Sequence, residues 1–169
     1  MRLFIAIRLS DEIKRGLAEI QSFLQNRGVH GNFIRLENLH LTLAFIGEYA
    51  DPEGVLDAMR GVSFDPFPVR LEGFGSFGDL YWCGIQENGE LVNYVKRLRR
   101  TLAENGIPFD RKKFSPHITL IRKASFDKNR GFPGVTVPDA SMEADRVSLM
   151  RSDRTKSGMV YTEVGQVYR

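Results

Sequence analysis

The chain has one cysteine, Cys83, in 169 residues. No disulfide framework can form within it, and no cysteine-based zinc site. No apolar run approaches the roughly 20 residues needed to span a membrane, and the opening MRLFIAIRLS has only a short apolar stretch before Arg8, too short for a signal peptide. There is no Walker loop and no GxGxxG; Gly73, Gly75 and Gly78 do not lead from a strand into a helix. Charge of one sign is also lacking: the net charge is only +3, with 17 Arg and 7 Lys against 21 acidic residues. That balance fits a mixed, solvated surface and excludes a protein that coats nucleic acid, although an arginine-rich excess suits phosphate. These absences point to a cytoplasmic, membrane-free protein with 42% apolar and 27% charged residues, ordinary for a globular chain.

The length suits a single domain, 1–169, of two lobes. Arg2 to Leu9 reads as a buried strand. Ser10 then reads as an N-cap for an amphipathic helix over 11–26, with Ile13, Leu17, Ile20 and Leu24 at helical spacing and Gly28 ending it. A short strand is expected over 32–35, strands over 40–46, 67–77 and 80–86, and a short helix over 51–59. A second long helix is marked by Leu91, Val95, Leu98 and Leu102. Residues 126–140 read as a loop and the last two strands fall over 145–151 and 159–167. The basic run 96–100, KRLRR, reads as a solvated helix face. In each half a long helix precedes a strand that carries a His-x-Thr phrase, a weak internal repeat. The expected fold is α+β and bilobal, two pseudo-symmetric lobes with sheets flanked by helices.

Histidine is scarce too. Of three in the chain, two open nearly the same phrase: His40 in HLTL and His117 in HITL, 77 positions apart. With six threonines in the chain, two of three histidines both carrying Thr two places later has a chance of roughly 0.4%. On a strand, residues i and i+2 share a face about 6.5 Å apart. His40 and Thr42 therefore point one way and Leu41 and Leu43 into the core; His117 and Thr119 repeat this, with Ile118 and Leu120 inward. If a pseudo-twofold axis relates the lobes, two imidazoles and two hydroxyls line one cavity. Imidazole both gives and takes protons near neutrality, so one can act as base and one as acid. Arg122 adds a fixed positive charge for an oxyanion, but its odd offset from His117 puts it on the opposite face unless the strand twists or bulges. Such a set suits a phosphodiester attacked by water or by an internal nucleophile. Neither phrase has a further ligand at metal spacing, so no metal and no cofactor is expected. His30, without such a companion, reads as a surface residue.

The paired phrases resemble the 2H phosphoesterase superfamily, and within it the RNA 2′,3′-cyclic phosphodiesterases, the ThpR or LigT family also called 2′-5′ RNA ligases. ENLHLTLAFIGE (37–48) is similar to the family's first signature and FSPHITLIR (114–122) to its second; MRLFIAI resembles its first strand, and the ending with Gly158 and Tyr161 its last ones. The resemblance implies a bilobal α+β fold with a central cleft and metal-independent hydrolysis of a terminal 2′,3′-cyclic phosphate to a 2′-phosphomonoester. It implies His40 as proton donor to the 3′-oxygen, His117 as the base that activates water, Thr42 and Thr119 on phosphate oxygens, and Arg122 as the basic residue after the second motif. Where the family often has Trp before the first signature this chain has Phe33, which offers a stacking face for a base, and Arg35 is a candidate grip on a backbone phosphate. Expected partners are RNA ends with 2′,3′-cyclic phosphate or small cyclic nucleotides, with no membrane and a monomeric state. Two alternatives stay open: a nucleotide- or RNA-binding module without turnover, and a sister activity on 2′-5′ oligoadenylate or ADP-ribose cyclic phosphate.

Overall fold

Five consecutive apolar residues make both faces of the first strand apolar, and each face has its own use. In the computed structural model, which describes residues 1–168, β1 (Arg2–Arg8) sends Leu3, Ile5 and Ile7 into the main core and Phe4 and Ala6 to a small separate cluster with Met150. Ser10 caps α1 (Asp11–Asn26), its hydroxyl accepting from the Ile13 N–H at 3.3 Å, with Asp11 and Glu12 in the first turn where the helix dipole favours them. After α1 come β2 (His30–Phe33), a 3-10 turn (Leu36–Asn38), β3 (His40–Glu48) and α2 (Pro52–Arg60). Then follow β4 (Phe67–Phe77), β5 (Leu80–Ile85), α3 (Gly89–Glu104), β6 (His117–Ser125), β7 (Ser141–Ala144), β8 (Arg146–Thr155) and β9 (Gly158–Tyr168). Among these described residues, no helix is long and apolar enough to cross a membrane.

The strands form two antiparallel sheets, one ordered β3-β1-β8-β9 and the other β2-β6-β5-β4-β7. The two correspond: β1 pairs with β3 and β5 with β6, and a long helix separates the members of each pair. Each helix crosses over. α1 packs on β6 and β7 of the second sheet, whereas α3 packs on β3 of the first and α2 on α3 and β9. This α+β, two-sheet arrangement is the expected fold class. The division of the chain into sequential halves is not what forms the lobes. β2 leaves the first half to edge the second sheet, and β8 and β9 return from the end of the chain to complete the first.

Three details differ from the sequence expectation. β2 sits two residues earlier than expected, because Phe33 must pair with Ile121 to edge β6. β7 falls between the expected loop over 126–140 and the strand expected over 145–151, and pairs with β4 from Phe67↔Ala144 to Arg70↔Ser141; four residues with two charged or hydroxyl side chains carry too little periodicity to announce it. The 3-10 turn has no apolar pattern of its own. It is held by Asn38, whose side chain donates to the Met159 carbonyl at 2.9 Å.

Candidate active site

The two motif strands show the same burial sequence over their first six residues: partly exposed, buried, partly exposed, buried, buried, exposed. Both imidazoles are held alike. His40 Nδ1 lies 2.6 Å from the Asn38 carbonyl and His117 Nδ1 lies 2.7 Å from the Ser115 carbonyl, each two residues upstream. A carbonyl only accepts, so each Nδ1 carries the hydrogen and each Nε2 is the lone-pair nitrogen of the neutral ring. β3 and β6 lie against one another across the two sheets, so the paired phrases meet in one cleft.

Both strands also bulge at the same place. In β3 the register runs Ile5↔Ala44 and then Ala6↔Thr42, leaving Leu43 extra; in β6 it runs Tyr81↔Ile121 and then Trp82↔Thr119, leaving Leu120 extra. A bulge shifts the alternation by one residue. Two consecutive residues are buried, Leu120 and Ile121, and the next, Arg122, returns to the face of His117 and Thr119. The odd offset of Arg122 is thereby corrected. Its charge lowers the His40 pKa through space, as does His117 when protonated, so the three groups are within electrostatic reach of one another.

The carbonyls at the two bulges receive side-chain donors from the two long helices. Gln21 of α1 donates to the Leu120 carbonyl at 3.0 Å and the Ile34 carbonyl at 2.8 Å. Arg99 of α3 donates through Nη2 to the Leu43 carbonyl at 3.0 Å and through Nη1 to the Lys112 carbonyl at 2.7 Å. The run 96–100 is therefore not all a solvated face. Lys96, Arg97 and Arg100 are exposed, but Arg99 turns in toward the first motif strand. Directly after Arg122, Lys123 has φ 53°, the one non-glycine residue with positive φ among those described.

Aromatic rings bracket each histidine. His40 lies 4.8 Å from the Phe4 ring and edge-on to Tyr161 at 5.1 Å. His117 lies edge-on to Phe77 at 5.2 Å and 6.1 Å from Trp82. Trp82 lies flat on glycine: a Cβ at Gly75 would come within 2.5 Å of the indole, so only glycine leaves the ring its place. Phe77 and Phe45 are half exposed at 51% and 49%, unusual for large apolar side chains. Burial lowers the pKa of His40 most; the bond to Asn38 opposes this, and Arg122 and His117 lower it further. The net direction favours the neutral imidazole of His40 in the free protein.

The structure gives Phe33 and Arg35 protein partners. Phe33 packs partly buried against the core at the edge of the second sheet. Arg35 donates to the Met159 carbonyl at 2.8 Å and faces Glu37 at 3.5 Å. His30 is exposed, as expected. Sequence reasoning missed Phe4, Tyr161, Phe77, Trp82, Gln21 and Arg99. Three of them carried a signal: Gln21 is a polar residue on the apolar stripe of α1 beside Ile20 and Leu24, Arg99 lies in the basic run 96–100, and Tyr161 in the ending that resembles the family's last strands. Among the described residues no three His, Cys, Asp or Glu converge in ligand geometry.

Known proteins resemble this chain in sequence and in fold. The family model described as LigT-like phosphoesterase matches residues 7–81 and 84–161. A curated relative from Thermotoga maritima, named RNA 2′,3′-cyclic phosphodiesterase, is 32% identical over 174 residues, covering 95% of this chain and 91% of its own length. The crystal structure of Escherichia coli LigT in apo form superposes with a TM-score of 0.81 at 26% identity, over 99% of this chain and 96% of that one. The same protein complexed with 3′-AMP gives 0.79 at 26% identity, over 99% of this chain and 96% of that one.

Proposed function

This chain belongs to the LigT-like phosphoesterase family, and we propose that it opens a terminal RNA 2′,3′-cyclic phosphate to a 2′-phosphomonoester by two-histidine acid–base catalysis without a metal. The observation that carries the reading is the matched pair of imidazoles, each fixed by Nδ1 to a carbonyl two residues upstream, with its Nε2 left for proton transfer.

In the proposed reaction a water attacks phosphorus. His117 Nε2 takes the water's proton as the new P–O bond forms. The P–O3′ bond breaks, and His40 Nε2–H gives its proton to the departing 3′-oxygen, leaving a 3′-hydroxyl and a 2′-phosphate. Thr42 and Thr119 donate to the non-bridging oxygens, and Arg122, aimed inward by the Leu120 bulge, faces the charge that grows on them. The exposed rings of Phe45 and Phe77 offer faces for a nucleobase.

His40 needs a proton to act as donor, yet burial, Arg122 and His117 all oppose it in the free protein. A bound phosphodiester anion between these groups reverses the local field and favours the imidazolium. Protonation of the donor is thereby tied to substrate binding. With an RNA 5′-hydroxyl in place of water as the nucleophile, the same step would form a P–O5′ bond, break P–O3′ and join the ends 2′-5′.

The test is an RNA oligomer ending in 2′,3′-cyclic phosphate, incubated in EDTA and resolved by product analysis. Each proton transfer contributes about 10² to 10⁴ in rate, so His40→Ala and His117→Ala should each lose at least that factor. Activity that EDTA abolishes and zinc restores would overturn the metal-free mechanism, and a 3′-phosphomonoester product would overturn the assigned roles.

A further inference from the structure

The first sheet has helices on one face only: α3 against β3 and α2 against β9. Its other face carries His40; there Phe4, Ala6, Ser148 and Met150 are buried, whereas Arg8, Arg146 and Tyr168 are exposed. Along β8, Val147 and Leu149 point into the core, so Arg146 and Ser148 share the face of His40. The register sets a row across this face. Arg8 is opposite His40, Ala6 is opposite Ser148, and Arg146 is opposite Tyr168. Two residues on from the Ala6↔Ser148 pair, Arg8 and Arg146 are level. By backbone register His40, Arg8, Arg146 and Tyr168 therefore follow one another on four adjacent strands, spaced about 4.8 Å apart, about 14 Å in all, with the His40 ring itself lying toward Phe4 and Tyr161.

The row is built more carefully than a surface ion pair requires. Arg8 Nη1 donates to Glu163 Oε2 at 3.0 Å, and Glu163 Oε1 accepts from the Ser148 hydroxyl at 2.8 Å. Ser148 is fully buried. A surface salt bridge contributes little to stability; a buried hydroxyl that fixes its carboxylate fixes the direction of the guanidinium. Arg146 is held in turn by Asp145 at 3.1 Å and lies 6.0 Å over the Tyr168 ring. Each arginine meets its carboxylate through one nitrogen, and Arg8 and Arg146 are about half exposed. Tyr168 is 63% exposed.

We propose that this row is a track for single-stranded RNA on the 5′ side of the cyclic-phosphate end, so that the enzyme prefers an oligonucleotide to a mononucleotide. The inference rests on the proposed function. Arg8 takes the phosphate preceding the scissile one, because it is the strand neighbour of His40. Arg146 takes the next phosphate and Tyr168 stacks on a base. Oriented guanidinium forks suit phosphate, and an aromatic face reads any base without sequence preference.

The experiment compares a 2′,3′-cyclic mononucleotide with a tetranucleotide ending in the same cyclic nucleotide. Wild type should show a KM lower by at least tenfold for the tetranucleotide. Tyr168→Ala should raise that KM about tenfold through the lost base stacking, and Arg146→Gln and Arg8→Gln each by a similar factor through a lost phosphate contact. The mononucleotide KM should stay within about twofold for Tyr168→Ala. Equal wild-type KM values for the two substrates, or variants that weaken both alike, would overturn the track while leaving the activity in place. Wild type turning over neither substrate would overturn the underlying function itself.

Discussion

Gln21→Leu tests whether the helices aim the catalytic groups. The change keeps the size of a buried side chain but removes its amide. The Ile34 carbonyl then loses the donor it has at 2.8 Å, whereas the Leu120 carbonyl keeps the Ile34 N–H at 2.9 Å and loses the second donor at 3.0 Å. One orphaned buried carbonyl costs about 1–3 kcal/mol and one lost shared bond about 0.5–1.5 kcal/mol. The sum, about 2–4 kcal/mol, is less than the stability of most domains, so the variant should fold. At about 2–4 °C per kcal/mol for a chain this size, Tm should drop by roughly 5–15 °C. The functional effect should be larger than stability explains. Without Gln21 the Leu120 bulge relaxes and Arg122 leaves its aim, and a misplacement near 1 Å costs about 100-fold. Assayed well below Tm, kcat should fall about 10- to 100-fold. Because Arg122 lowers the His40 pKa, the His40 ring titration by NMR should move up. A variant with lowered Tm but unchanged kcat and unchanged His40 titration would show that Gln21 supports only the fold.

Arg99→Met is the counterpart on the first motif strand: the Leu43 and Lys112 carbonyls lose their donors, and kcat should fall about tenfold or more with Tm lowered, both measured as for Gln21. Arg122→Ala should raise the His40 pKa toward its ordinary value, since a repelling charge is gone; inorganic phosphate added to wild type should raise it as well, and NMR titration reads both. Cys83 is fully buried, its thiol donating to the Gly84 carbonyl at 3.5 Å and pushed up to about 12 by burial. A thiol reagent at pH 8 should therefore label it only on unfolding, and fast labelling of the native protein would contradict this burial.

The elements were legible where one physical pattern covered many residues. α1 matches its sequence bounds because Ser10, the acidic first turn and four apolar residues at helical spacing all agree. The paired phrases were legible because His and Thr on alternating strand positions are rare twice over. What stayed hidden depends on contacts between distant segments. The Leu120 bulge exists because β6 must satisfy β5 on one side and β2 on the other, and nothing in HITLIR records that. The aromatic brackets hid for the same reason: Phe4 and Tyr161 are 157 residues apart and adjoin His40 only through the order β3-β1-β8-β9. The buried polar residues were the best unread signal. Gln21, Asn38 and Ser148 are the three buried polar residues among those described, and each supports the cleft: Gln21 at the Leu120 bulge, Asn38 by tying to Met159 the turn whose carbonyl holds His40, and Ser148 behind Glu163 and Arg8.

The division of labour between the two histidines is the central claim, and a substrate with a changed leaving atom tests it most directly. A cyclic phosphate with sulfur in place of the bridging 3′-oxygen expels a thiolate and needs no proton donor. The account predicts that His40→Ala turns this analogue over within about tenfold of wild type, whereas His117→Ala, still lacking its base, remains slower by about 10² or more. Rescue of His117→Ala instead of His40→Ala, or of neither, would contradict it.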